Sequence, residues 1–171
     1  MTSLAGYATI LAAAALLTPA IAQEKSHPTP AQAMRTYFTY VNGKLLDMAK
    51  DFPEDKYEYR PTKEMRSFRE LIVHVASGNV FAAKAGRGEK VKWDELDAKN
   101  YPTKADAVAL LEKSTNDATA ALKAQPDDAF AKTLYPWNAV IQHSSEHYGL
   151  LVAYFRLNGI VPPETRKEQQ K

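Results

Sequence analysis

The sequence predicts an all-α protein, a four-helix bundle, and three observations lead there. Apolar residues recur at spacings of three and four in four separate stretches; capping signals or prolines mark where those stretches begin; no alternating run calls for a strand. Four amphipathic helices of similar length, each with one stripe to bury, are best satisfied by packing against one another.

Residues 1–22 read as a signal peptide ahead of the fold. Ile10 to Leu17 form a short apolar run, Pro19 breaks it, and Ala20-Ile21-Ala22 places small residues at a cleavage point before Gln23. The run is shorter than the roughly 20 residues that span a bilayer, so export with cleavage, leaving no membrane anchor, is the expectation. No Lys or Arg precedes the run, and an uncleaved anchor is the alternative. Residues 23–30 form a polar linker with His27, Pro28 and Pro30.

The first helix is expected to start at Pro30, capped by Thr29, with Met34, Phe38, Val41, Leu45, Met48 and Phe52 as its stripe. Pro53 and Pro61 bracket an irregular connection. Ser67 and Glu70 then form the S-x-x-E of a capping box, which opens the second helix. Its stripe runs Phe68, Leu71, Val75 and Phe81, with His74 in phase and Gly78 one turn later. A mid-helix glycine costs about 1 kcal/mol relative to alanine, so Gly78 either makes room near His74 or allows close helix packing. Gly86 and Gly88 end this helix. Residues 87–101 read as a charged loop or short turn over the bundle, pinned by Trp93 or with Trp93 covering a site. Thr103 and Asp106 repeat the capping-box pattern, and Val108, Leu111, Thr115, Ala118 and Leu122 give a third stripe that ends before Pro126. The fourth helix is expected from Pro136 or Trp137 to Leu157, stopped by Gly159 and Pro162-Pro163, with Val140, His143, His147, Leu151 and Tyr154 on one face. Residues 31–163 thus form one bundle domain, and 164–171 a polar tail.

A formal charge of +2, from 22 basic and 20 acidic residues, lacks the basic excess that gripping nucleic acid requires. With no cysteine, packing rather than disulfides must hold an exported form, and a metal site must use imidazole or oxygen ligands. His143 and His147, at i and i+4, project from one helix face and can converge on one point. His74 supplies a third imidazole from another apolar stripe. Burying three imidazoles without partners costs a few kcal/mol each, a cost that a divalent cation removes. Three protein ligands leave a coordination position open, as in catalytic rather than structural sites. Imidazole alone does not choose between zinc, nickel, iron and copper. His27, in the linker, is a poor ligand candidate. The pentapeptide His143-Ser-Ser-Glu146-His147 also matches the H-x-x-E-H of inverted zinc proteases, with Glu146 as base. The rest of that context is missing, and a solvated charge flanking the stripe is the commoner role for such a glutamate.

Arg60-Pro61, the block Met65 to Ala76 around His74, and the block His143 to Pro163 with Gly149, Gly159 and Pro162-Pro163 together resemble the DinB family, also called DinB/YfiT-like. The resemblance covers about Ala31 to Pro163. It implies a four-helix bundle with a divalent metal, commonly nickel or zinc, held at the positions of His74, His143 and His147. The family usually carries Gly-Gln in its last motif, whereas Leu150 follows Gly149 here, which removes whatever contact that glutamine makes. Members with assigned activity include thiol-dependent S-transferases and a maleylpyruvate isomerase, which take a low-molecular-weight thiol as cosubstrate. The family name refers to DNA damage induction and implies no DNA binding, and its members often pair as homodimers. The expected protein is an exported, periplasmic or extracellular metal-binding member of this kind, acting as a metal-dependent enzyme on a small-molecule substrate, with thiol transfer as the implied reaction. The alternatives are metal-assisted hydrolysis with Glu146 as base and a non-catalytic metal-binding or sensing module.

Overall fold

The structure, a computed structural model, describes residues 27–170. The expected signal peptide lies outside the described residues, as does the first half of the linker. Among the described residues there is no strand, and the fold is all-α. Four long helices, α1 (Pro30–Asp51), α2 (Phe68–Gly86), α3 (Lys104–Ala124) and α5 (Trp137–Leu157), are joined by two short ones, α4 (Ala129–Lys132) and α6 (Pro163–Gln169). Helix α1 packs on α3 and α5, and α2 packs on the same two, so the long helices follow the ring order α1, α3, α2, α5. No described helix is long and apolar enough to cross a membrane.

The capping chemistry read from the sequence sets the starts of three helices. The Thr29 and Ser67 hydroxyls accept from the amides of Gln32 and Glu70 (both 3.2 Å), and the Gln32 and Glu70 side chains in turn accept from the backbone N–H of the cap residue (both 2.9 Å). Thr103 and Asp106 form the third such box at 3.0 and 3.1 Å. Helix α5 has no side-chain cap and starts after Pro136. The chain leaves it through Gly159 at φ +71°, a left-handed conformation that favours glycine.

Two apolar clusters fill the interior. One gathers Leu45, Met48, Phe52, Phe68, Leu71, Ile72 and Phe155, with Phe52 and Phe68 stacked at 3.8 Å between ring centroids. The other holds Phe38, Ala82, Ala118, Leu122, Trp137 and Val140. Between them along the chain, every long helix carries polar residues on or beside its inner face: Asn42 on α1, Ser77 and Asn79 on α2, Ser114 with Thr115 at its flank on α3, and His143, Ser144 and His147 on α5. This polar layer holds the chemistry of the molecule.

Three expectations are corrected. In α3 the buried side includes Ala107, Ser114 and Ala121, while Val108 and Thr115 sit on its flank. Small residues there let α3 lie close against α2, and alanine or serine gives no periodic apolar signal. Residues 164–171, read as a polar tail, are for the most part helical: they continue from Pro163 as α6, which Arg166 and Lys167 tie to Asp51 and Asp47 of α1 (both 2.6 Å). Phe81 is only half-buried and lies outside both core clusters.

Candidate metal centre

Helix α2 supplies His74 and α5 supplies His143 and His147, and the packing of those two helices brings all three rings together. Ring centroids are 4.9 Å apart for His74 and His143, 4.7 Å for His74 and His147, and 4.4 Å for His143 and His147. One nitrogen from each lies within 4.8 Å of the others, a group that could hold a metal ion. His74 Nε2 and His143 Nε2 are 3.0 Å apart. Two facing imidazole nitrogens can share one proton at most, and with both lone pairs bare they repel.

Gly78 explains the close approach of α5. A Cβ at this position would stand 2.9 Å from His143 Nδ1 and 3.0 Å from its Cε1, so glycine lets the His143 ring lie on the α2 backbone. The two readings of Gly78 merge: the helices pack closely there, and what they make room for is a site histidine. A second close approach, Gly86 beneath the buried Trp137 ring, seats the start of α5 in the same way.

Burial is the main reason the imidazoles stay neutral. His143 and His147 are pushed down to about 4, first by burial and then by the neighbouring histidines. His74 is lowered by burial and by Arg66, against the pull of Glu95. Neutral rings present lone pairs, which is the state a cation needs. The Nδ1 atoms of His143 and His147 are buried without hydrogen-bond partners. A donor set of three neutral imidazoles that turn one nitrogen each toward a common point, two of them 3.0 Å apart with no polar group between, fits a divalent cation.

Sequence reasoning missed Glu95. Its Oε1 lies 3.0 Å from His74 Nδ1, a charge contact by distance rather than an aligned hydrogen bond. Arg66 grips the same carboxylate from Nε and Nη2 at 3.2 and 2.9 Å. Burial works to raise the Glu95 carboxyl, yet Arg66 and His74 outweigh it and hold it below its ordinary value. The loop is fixed around it. The Leu96 amide donates to buried Ser77 Oγ at 3.1 Å, and Arg69 donates to the Ala98 and Tyr101 carbonyls at 2.6 and 3.1 Å. Nothing in the sequence separates Glu95 from the other acids of this loop, because its partner is 21 residues away on another element.

Of the remaining candidates, Glu146 is exposed and accepts a hydrogen bond from Gln142 Nε2 at 3.0 Å, outside the converging nitrogens. His27 is exposed ahead of α1. Trp93 sets its ring edge-on to His74 and His143, each at 5.8 Å. On the His147 side a cleft of about 600 Å³ is lined by Arg60, Lys63, Arg66, Leu150 and Tyr154, so the residue in place of the family's usual glutamine faces it.

No curated protein matches the chain. A sequence model described as the DinB superfamily matches residues 37–154, a span that takes in His74, His143, His147 and Glu95. That span is more than half of the chain, and the protein belongs to the DinB superfamily.

Proposed function

We propose that this protein is a metal-dependent enzyme acting on a small molecule, with His74, His143 and His147 as the ligands of a divalent cation, nickel or zinc. The observation that carries the reading is the convergence of three neutral, half-buried imidazoles from two helices, with the Nε2 atoms of His74 and His143 facing each other at 3.0 Å. A cation held there supplies Lewis acidity, which lowers the pKa of a water or thiol that it binds. The chain's own residues do the rest. Glu95 and Arg66 fix the His74 ring, Gly78 admits the His143 ring, and the cleft beside His147 admits a small molecule from solvent.

The reaction proposed is transfer of a low-molecular-weight thiol to an electrophilic carbon. A sulfur–carbon bond forms, the leaving group departs with its bonding pair, and the thiol proton passes to solvent. The thiol comes from solution, since the chain has no cysteine. Export belongs to the same proposal, with residues 1–22 removed. Sequencing the N-terminus of the secreted form is expected to begin at Gln23, and a start at Met1 contradicts it.

The test of function is consumption of several small thiols with a model electrophile, followed with the zinc- or nickel-loaded chain and after chelation. A rate that requires the metal and disappears in His143→Ala supports the proposal. A chain that holds metal but gives no metal-dependent rate with any thiol is a binding or sensing module instead.

A further inference from the structure

On the side of His143 away from the charged cleft lies a second space of a different kind. It is a slot of about 190 Å³ whose walls are Phe81, Trp93, Pro136, Ala139 and Val140, with His143 in its lining and the bare Gly78 backbone beside that ring. Apart from the imidazole, no side chain lining it carries a charge or forms hydrogen bonds through oxygen. Trp93 and Tyr135 pack edge-on against Phe81 at 6.0 and 6.4 Å.

We infer that this slot binds a single-ring, or similarly sized, hydrocarbon group of the small molecule handled at the histidines. The inference rests on the reading of the histidine cluster as the reactive centre. Three observations support it. The volume is slightly above the roughly 150 Å³ at which an apolar protein cavity binds benzene, so one ring with a short substituent fits. Away from His143 and the Trp93 N–H the lining gives polar groups little to replace lost hydration, so an apolar group gains most by entering. Trp93 is not needed to hold its loop, which Ser77, Arg66 and Arg69 already fix, and its ring stays 47% exposed where a pinning aromatic would be buried.

The two sides of the cluster therefore sort a substrate by polarity. Its hydrocarbon group enters between Phe81 and Trp93, and its polar part faces Arg60, Lys63 and Arg66.

Two titrations of the full chain test this. The first uses metal-stripped protein and benzyl alcohol, read by NMR at the Gly78 amide and the Trp93 indole N–H. Saturable shifts at both, lost in Ala139→Phe, are expected; Ala139 is exposed on α5, so a larger side chain there fills the slot without entering the core. Absence of shifts, or shifts unaltered by Ala139→Phe, overturns the slot. The second uses zinc-loaded protein with benzohydroxamate and acetohydroxamate, which share a chelating head and differ as ring against methyl. Binding of the ring compound at least about tenfold tighter is expected, with the preference lost and the zinc content kept in Ala139→Phe. Equal affinities overturn the inference. A chain that holds no zinc refutes the metal reading alone, because the benzyl alcohol titration still decides the slot.

Discussion

The polar layer contains two clusters that treat their polar groups in different ways, one of fully buried amides and one of half-buried imidazoles. In the first, Asn42 Nδ2 donates to the Phe38 carbonyl at 3.0 Å, and Asn79 Nδ2 donates to Asn42 Oδ1 at 2.8 Å and to Thr115 Oγ1 at 3.1 Å. Both amide donor groups are placed, and one oxygen, Asn79 Oδ1, lacks a partner. In the second, His74, His143 and His147 turn nitrogens toward each other at distances where they compete, and two Nδ1 atoms have no partner. Amides carry a donor and an acceptor and can close a network among themselves. A neutral imidazole also carries one donor and one acceptor, but three that turn one nitrogen each toward a common point cannot pair them all there. The first cluster is satisfied within the protein but for that one oxygen; the second is complementary to something that brings positive charge.

That difference can be broken or sharpened by experiment. The largest effect is expected from zinc on wild type compared with His143→Ala. Free metal at 100 times its dissociation constant stabilises a folded chain by about 2.7 kcal/mol, so the denaturation midpoint of the wild type rises and that of the variant stays where it is. Next, Glu95→Gln keeps the shape of the side chain but removes the charge beside His74 Nδ1. It is expected to weaken metal binding by about 10- to 100-fold, as changes behind a ligating histidine do, with little change in metal-free stability; calorimetric titration reads the first and urea unfolding the second. Asn79→Ala acts in reverse. It strands Asn42 Oδ1 and costs about 1–3 kcal/mol in urea unfolding, while the bound metal per chain is unchanged. The smallest effect is expected from Gly78→Ala, whose Cβ would press on the His143 ring. The helix gains about 1 kcal/mol of propensity that the contact offsets, so stability moves little and metal affinity falls.

Most of the fold was legible because its signals are local. Ser67 with Glu70 and Thr103 with Asp106 mark helix starts within four residues, and the stripe from Phe38 to Phe52 repeats along one element. The histidine pair was legible for the same reason, since i and i+4 share a helix face. His74 could be added because it is in phase with Leu71 and Val75. What escaped was non-local or ambiguous in type. Helix α6 is tied down by ion pairs to α1 more than a hundred residues away. The inner face of α3 is built of Ala107, Ser114 and Ala121, which suit core and surface alike. Glu95 sits in a loop with no period, and only the folded chain brings it to His74; Trp93 of the same loop stood out as its one large apolar residue, but both its readings stayed open. The Asn42–Asn79 pair left a faint trace, as polar residues in otherwise apolar stripes.

The central claim is that the histidine half of the polar layer is a metal site, and metal content measures it most directly. Untagged protein, purified without added metal and analysed by mass spectrometry, is predicted to carry about one nickel or zinc ion per chain, with near zero in both His74→Ala and His143→Ala. Near-zero metal in the wild type, or a full equivalent that survives both substitutions, contradicts the account.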